Sequence, residues 1–376
     1  MKHNINFYWL DFLRGSAALL VFLSHIRALF FLDYHHVDHT IISAFFYFIT
    51  GFGHSSVIVF FVLSGFFIIG SIDNAASKNK WSFTTYSIDR LVRLWIVLLP
   101  ALLLTALLDN IGLKLYPDSL AYLGEIDSLR DINPIGRSTI VVFLANVFFL
   151  QNVLVPTFGS NAPLWSLSCE FWYYFLFPFL YFALFKKENV VAKIALITIP
   201  VLLLLLLGNK IAGYFTIWLM GGITFFIYKY KNIPIFNTSF FAAFSSLLFL
   251  VIFSCIRFDK YPFLFNNYSL GATSILLMIA LINSKMKFPY LIKFSKFISN
   301  ISYSLYLIHL PLSIVLVSAL SHERHDFNAI SIMTFLALCA LIVTFSYCFW
   351  HLFEKQTSAI KIWVKSKLLP SIATES

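Results

Sequence analysis

The sequence predicts an all-α, polytopic membrane protein with about ten transmembrane helices. Of its 376 residues, 60% are hydrophobic and only 12% are charged, so the apolar surface exceeds what a soluble core can cover. The mean hydropathy is +0.83. Leu, Phe and Ile stand in continuous blocks that approach or exceed the roughly 20 residues needed by a membrane-spanning helix. No β-barrel alternation interrupts these blocks, which favours spanning helices.

Ten apolar blocks are the predicted crossings. They cover residues 8–31, 53–70, 91–109, 164–185, 190–208, 211–229, 239–257, 267–283, 301–320 and 329–351. The first block is long, contains Arg14 and lacks a small-residue cleavage site. We therefore predict that it remains in the protein as a span and is not removed as a signal peptide.

The basic residues predict the orientation, because cytoplasmic loops collect Lys and Arg. Most of the 27 Lys and Arg lie in or beside alternate connections between the crossings. These basic stretches are 71–93, 186–193, 229–231, 285–296 and 355–367. Both termini are therefore predicted to be cytoplasmic, with the chain in the inner (cytoplasmic) cell membrane. A basic face beside anionic lipid accounts for the net charge of +10 and requires no nucleic acid.

Residues 139–155 form a further apolar segment that this count leaves over. An eleventh crossing there would place Lys186, Lys187 and the later basic loops on the outer side. We predict instead a re-entrant or interfacial segment, which is tolerated where protein or a cavity covers it.

The domain organisation is predicted to be simple. Residues 1–351 form one membrane domain, and residues 352–376 form a short basic cytoplasmic tail. The four cysteines stand singly in apolar stretches, with neither a disulfide pattern nor the spacing of a metal site. We expect them to be small apolar packing residues and expect no metal.

The first crossing carries three polar residues in the stretch LDFLRGSAALLVFLSH: Asp11, Arg14 and His25. Arg14 and His25 are eleven residues apart, so on a helix they differ by only about 20° in direction and are separated by about 17 Å. Ionisable residues inside a membrane are costly and are candidates for functional sites. The polar stripe is therefore predicted to line a path through the membrane.

Glu170 in WSLSCEFWYYFLFP is predicted at a depth similar to that of His25, about 9 Å below the outer end of its helix. A carboxylate can orient an imidazole and stabilise its charged form, so the two residues could handle a proton together. The structural alternative is that each is a satisfied core group, with Glu170 bonded to Ser166 and His25 to a neighbouring helix.

Arg90 and Arg93 in YSIDRLVRLWIVLLP share a helix face at the predicted cytoplasmic mouth. Two guanidinium groups at one level can bind phosphates in forked geometry. Arg14 adds a third cation at similar depth, although Asp11 could neutralise it. The alternative is that the two arginines are ordinary positively charged anchors that flank a span.

A third polar stripe lies in ISYSLYLIHLPL, where Ser302, Tyr306 and His309 share one helix face. His309 could be a second proton carrier or line a channel, or the stripe could be a hydrogen-bonded helix contact. In VFFVLSGFFI, the small residues Ser64 and Gly65 allow another helix or a substrate to approach closely.

Taken together, five stretches resemble the acyltransferase-3 family of membrane-bound acyltransferases, which includes O-antigen and exopolysaccharide O-acetylases. They are LDFLRGSAALLVFLSH, VFFVLSGFFI, the Arg90/Arg93 stretch, APLWSLSCEFWYYFLFP and ISYSLYLIHLPL, and they occur in the family's order. The resemblance implies a ten-helix domain that transfers an acyl group, most often acetyl, from cytoplasmic acyl-CoA to a carbohydrate hydroxyl. No permanently bound cofactor is implied, since acyl-CoA is the donor substrate.

The resemblance also implies residue roles. His25 would be the general base, and Glu170 would orient it or bind the sugar. The CoA phosphates would bind Arg14, Arg90 and Arg93. Residues expected to line the substrate path or to support it are Asp11, Ser64, Trp165, Ser166, Ser302, Tyr306 and His309.

The expected partners are acyl-CoA, a carbohydrate or lipid-linked glycan acceptor, and membrane lipids. Many relatives carry a fused SGNH-type domain after the last helix and this sequence does not. Either the membrane domain completes the transfer alone, or a separate periplasmic protein is a further partner.

Two other function classes stay open at the level of sequence. A proton-coupled transporter of a small acylated or anionic molecule would use His25 and Glu170 as a proton relay. A structural subunit of a polysaccharide machine would use its intramembrane polar residues for helix packing alone.

Overall fold

The computed structural model describes residues 7–129, 132–230, 233–258, 261–284 and 288–369. The basic residues Lys231, Lys285 and Lys287, and residues 370–376 of the predicted tail, lie outside these ranges. The α-helices of the described residues are α1 (Tyr8–Phe30), α2 (Ile41–Ile49), α3 (Gly53–Ser77), α4 (Phe83–Leu115), α5 (Leu120–Leu123), α6 (Ile140–Val147), α7 (Leu164–Phe185), α8 (Val190–Leu207), α9 (Asn209–Tyr230), α10 (Ser239–Cys255), α11 (Asn267–Asn283), α12 (Pro289–Leu320), α13 (Ala329–Leu352) and α14 (Thr357–Leu368).

The helices confirm the predicted all-α, polytopic class. Within the described residues, nine helical segments are long and apolar enough to cross a membrane. The remaining predicted crossing, 267–283, corresponds to α11. This helix is apolar but has 17 residues, or about 26 Å of helix. Each predicted crossing coincides with one of these helices. The orientation of the chain in the membrane stays a prediction.

The segment 139–155 contains only the short helix α6, whose eight residues are about 12 Å long and cannot cross a bilayer. The hydroxyl of Thr139 caps its N-terminus by accepting a hydrogen bond from the amide of Val142. Beyond the helix the chain turns back through Phe149, a bulky residue with a φ of 59°. Its carbonyl accepts a hydrogen bond from Ser168 Oγ at 2.7 Å, which helps to hold this unusual backbone conformation.

The chain divides into two compact units, and each is described by itself. The first unit comprises Met1–Ala17, His54–Trp81 and Cys169–Ser299. In it, α3 and α9 make a close backbone contact at Gly65 and Gly221. A side-chain carbon added at Gly65 would collide with the backbone oxygen of Trp218, so the approach requires glycine.

A buried charge also joins helices of the first unit. Asp73 of α3 is 3% exposed and accepts a hydrogen bond from the Tyr181 hydroxyl at 3.0 Å. Its carboxylate also forms an ion pair with Lys229 of α9. Because a buried carboxylate is costly without partners, this network ties α3 to α7 and α9.

The second unit comprises Ala18–Gly53, Ser82–Ser168 and Asn300–Ser376. Its apolar core collects residues of α1, α12 and α13, among them Phe22, Ile26 and Phe335. The loop that leads into α7 is held by buried polar contacts. Asp109 of α4 accepts hydrogen bonds from the Ser160 amide at 2.8 Å and from its hydroxyl at 2.6 Å.

Much of the segment that was predicted as a tail is helical. After α13 ends at Leu352, a short 3-10 helix covers Glu354–Gln356, and α14 follows. Helix α14 packs against α4 within the second unit. Glu354, Lys361 and Lys365 of the C-terminal segment therefore lie beside residues 89–93 of α4.

We predict that Gly65→Val lowers the free energy of unfolding by about 2 kcal/mol, because the added side chain overpacks the contact between α3 and α9. Gly213→Val is the matched control in α9, since a Cβ at Gly213 meets no atom within 4 Å. Thermal unfolding in detergent measures both variants. Equal loss of stability in the two variants would contradict the requirement for glycine at position 65.

Candidate active site

The centre of the candidate site is a pair of histidines in the second unit. His25 of α1 and His309 of α12 lie with Nδ1 of the former 2.8 Å from Nε2 of the latter. Their rings are within 9° of parallel and their centroids are 5.1 Å apart, as expected when an in-plane hydrogen bond joins two rings edge to edge. Both residues are candidates by sequence, but nothing in the sequence pairs them.

The surroundings of His309 determine which nitrogen carries each proton. His309 Nδ1 lies 2.9 Å from the carbonyl oxygen of Leu305, which can only accept, so Nδ1 must donate. In a neutral ring, Nε2 of His309 is then the acceptor for the proton on Nδ1 of His25. The Nε2 atom of a neutral His25 is consequently left unprotonated, with a lone pair available to take a proton.

The local backbone of α12 supports this arrangement. Pro311 stands inside the helix and has no N–H, so it cannot bond the carbonyl of Leu307 four residues earlier. Asn161 supplies the missing donor from the loop before α7, with its Nδ2 2.8 Å from that carbonyl oxygen. Since Leu307 precedes His309 by two residues, this contact anchors the segment that carries the second histidine.

Two further predicted residues meet beside the histidine pair. The hydroxyls of Ser166 and Tyr306 are 2.7 Å apart, and both residues are buried. Ser302 is also buried, one turn earlier on α12. The backbone oxygen of Trp165 accepts a hydrogen bond from Asn152 at 3.1 Å. The polar stripe of α12 therefore contacts the start of α7 at Tyr306 and α1 at His309.

Arg93 is neutralised by an acid that the sequence analysis missed. Its Nη2 is 2.8 Å from Glu354 Oε1, and this glutamate is only 4% exposed. The other carboxylate oxygen accepts hydrogen bonds from the amide and the hydroxyl of Ser304, the latter at 2.6 Å. The signal that could have indicated this pair is an acid three residues after the last apolar block, which ends at residue 351.

Arg90, unlike Arg93, has no acid that neutralises it among the described residues. Its guanidinium lies over the ring of Tyr86, 5.4 Å from the centroid. Its Nε is buried without a hydrogen-bond partner, and no ion pair to Arg90 is present in the part of the chain that the structure describes. Arg90 therefore keeps an uncompensated positive charge.

Two predicted residues of the first unit form a local ion pair. Arg14 Nη2 is 3.0 Å from Asp11 Oδ1, so Asp11 neutralises Arg14, as the sequence alternative had it. Ser299 links the two groups, because its hydroxyl accepts from Arg14 Nε at 2.9 Å and donates to Asp11 at 3.0 Å.

Glu170 also lies in the first unit, in a chain of polar groups. It accepts a hydrogen bond from the Tyr174 hydroxyl at 3.0 Å. That hydroxyl is 3.3 Å from Ser64 Oγ, which accepts a hydrogen bond from the Trp218 indole at 3.1 Å. Ser64 thus belongs to the network around the glutamate, and the predicted pairing of Glu170 with His25 stays a prediction. Among the described residues, no cluster of three or more His, Cys, Asp or Glu has the arrangement of a metal site.

We predict that His25 carries its proton on Nδ1, because His309 accepts there. Long-range ¹H–¹⁵N spectra of histidine-labelled protein report the tautomer. His309→Ala should abolish the preference, whereas Tyr306→Phe, which keeps both imidazoles, should preserve it. A wild-type His25 protonated on Nε2 would show that the hydrogen-bond assignment is wrong.

A family model described as "Acyltransferase domain" matches residues 7–351. The chain is 32% identical over 178 residues to "Acyltransferase MdmB" of Streptomyces mycarofaciens, which covers 46% of this chain and 39% of that protein. It is 25% identical over 161 residues to a Haemophilus influenzae protein named "Uncharacterized protein", covering 42% of this chain and 61% of the relative.

Both matches thus span less than two thirds of the relatives' own lengths. No solved structure gives a significant match. The family match, in contrast, extends over nearly all of the chain and over every site residue predicted from the sequence. This multi-pass membrane protein therefore belongs to the acyltransferase-3 family.

Proposed function

We propose that the protein transfers an acyl group, acetyl in the first instance, from cytoplasmic acyl-CoA to a hydroxyl of a cell-envelope carbohydrate such as O-antigen, capsule or exopolysaccharide. The observation that carries the proposal is the histidine pair, which leaves Nε2 of His25 unprotonated in a member of an acyltransferase family. The likeness to "Acyltransferase MdmB" supports acyl transfer as the reaction class.

In this mechanism His25 is the general base. Its Nε2 takes the proton of the acceptor hydroxyl while that oxygen attacks the thioester carbonyl, which makes a poor nucleophile effective at neutral pH. The C–S bond then breaks, and the CoA thiolate takes the proton from the imidazolium. The products are the O-acyl carbohydrate and free CoA, and His25 returns to its starting state.

His309 acts as a positioning residue. The hydrogen bond from His25 Nδ1 persists whether or not Nε2 is protonated, so His309 holds the ring through the whole proton cycle. This contact occupies the nitrogen through which a carboxylate would otherwise orient His25. We therefore assign Glu170 to the acceptor, where its carboxylate would accept hydrogen bonds from sugar hydroxyls.

The donor phosphates are assigned to the arginines that the sequence singled out, Arg14, Arg90 and Arg93. Arg14 is ion-paired with Asp11, and Arg93 is ion-paired with Glu354. Arg90 carries the charge that is not compensated within the described residues, so it is the foremost phosphate ligand of the three. The proposal places the protein in the inner membrane, with a lipid-linked glycan or a separate periplasmic protein as a further partner.

The test of the proposed function is transfer of radiolabelled acetyl groups by purified protein in nanodiscs. Acetyl-CoA is offered with a panel of envelope glycans and their lipid-linked precursors, and the product is an alkali-labile ester. His25→Ala should lower the rate at least about 100-fold, because it removes the general base. Wild-type activity in a folded His25→Ala protein would refute this mechanism.

The same assay separates the other function classes. If a substrate moves into proteoliposomes without chemical change and without acyl-CoA, the protein is a transporter and not an acyltransferase. Loss of stability in His25→Ala with no acyl transfer by the wild type would favour a structural subunit.

We further predict that His309→Ala lowers kcat by about 10- to 100-fold and leaves KM for acetyl-CoA within about twofold, since it disturbs the base and not the donor site. Tyr306→Phe is the control in the same helix, because it keeps both imidazoles. A rise in KM with unchanged kcat would show that His309 serves binding and not positioning.

A further inference from the structure

Helix α14 carries two lysines toward the cationic residues of α4. Lys361 and Lys365 are four residues apart and therefore share one helix face. Lys365 Nζ is 2.8 Å from Asp89 Oδ1, and Asp89 directly precedes Arg90. Lys361 lies within electrostatic range of Asp89, Arg90, Arg93 and Lys365. Helices α4 and α14 thus bring four cations and Asp89 into one cluster, and the 3-10 helix adds Glu354.

The charges of this cluster do not balance. Its acids are Asp89 and Glu354, and each already has a basic partner, Lys365 for the former and Arg93 for the latter. Arg90 and Lys361 have no ion-pair partner among the described residues. Both side chains are partly buried, so water screens their mutual repulsion only in part.

An anion between Arg90 and Lys361 would remove this repulsion. The two unpaired cations match the charge of a phosphate monoester, which is about −1.5 to −2 at neutral pH. Arg supplies a planar fork of donors and Lys supplies a point charge, a combination suited to phosphate oxygens. The neighbouring ion pairs to Asp89 and Glu354 hold α14 and the 3-10 helix against α4, so the two cations come from elements that are anchored to each other.

We propose that Arg90 and Lys361 form a phosphate site that α14 completes, and that its ligand is the 3′-phosphate of acyl-CoA. This inference rests on the proposed function, because it adds a C-terminal helix to the donor site. The headgroup of an anionic lipid offers the same chemistry, and the experiment distinguishes the two sources.

The experiment compares the Kd of acetyl-CoA with that of 3′-dephospho-acetyl-CoA, using the full chain in phosphatidylcholine nanodiscs. The wild type should bind acetyl-CoA at least about tenfold more tightly. Lys361→Gln should weaken acetyl-CoA binding about tenfold and leave the dephospho compound unchanged, so that the discrimination disappears. Lys361→Arg should restore it. Lys367→Gln, an exposed lysine six residues along α14, should leave it intact.

Each outcome decides between the claims. If Lys361→Gln is folded, as judged by its thermal unfolding, and still discriminates like the wild type, the phosphate site is wrong and the proposed function stands. If the wild type binds no acetyl-CoA, the proposed donor fails. The lipid source is then tested by adding phosphatidylglycerol to the nanodiscs. A thermal stabilisation by this lipid that Lys361→Gln loses would retain the phosphate site with a lipid ligand, and its absence would overturn the site.

Discussion

A carboxylate or other polar group buried among the helices is costly unless it is paired, and the rest of this structure depends on that constraint. Asp73 meets Tyr181 and Lys229, and Asp109 meets both donors of Ser160. Each of these contacts ties one helix to another element of the same unit. Polar residues therefore specify how the apolar helices of each unit pack, which dispersion contacts alone would leave loosely determined.

The same constraint prepares the candidate active site. Pro311 removes one backbone donor from α12, and Asn161 replaces it at the carbonyl of Leu307. His309 satisfies its own Nδ1 at the Leu305 carbonyl, so it can offer only an acceptor to His25. The hydrogen bond between His309 and the Leu305 carbonyl thus also selects the tautomer of the proposed base. Stability and reactivity here derive from one network.

At the α4–α14 contact, some of the charged residues are paired and others are not. Glu354 is nearly inaccessible and receives donors from both Arg93 and Ser304, which makes it a structural acid. Lys365 of α14 forms a second ion pair across this contact, with Asp89 of α4. Pairing of these residues leaves Arg90 and Lys361 without an ion-pair partner among the described residues, and in the proposed site a bound phosphate would balance their charge. Under the proposal, the basic residues of this face bind a phosphate in addition to their predicted role in membrane orientation.

Sequence by itself determined the class and the candidate residues of this protein. Continuous apolar blocks needed no tertiary information to be identified as helices, because the bilayer sets their length, and the block at 139–155 was separated from the crossings by the distribution of Lys and Arg. Polar residues inside apolar blocks, such as His25 and His309, stood out because their burial in lipid is costly. Arg90 stood out because it shares a helix face with Arg93.

Tertiary structure alone decided how these residues combine. His25 and His309 are 284 positions apart, and no helical period relates residues on different helices. Arg14 and Arg93 are equally basic in sequence to Arg90, yet Asp11 and Glu354 neutralise them, and only the folded chain shows which acid reaches which base. The sequence predicts only a tail for the C-terminal segment, because basic composition does not reveal packing. The position of this segment beside α4 follows from side-chain contacts. These contacts depend on the three-dimensional arrangement of the helices and not on their order in the sequence.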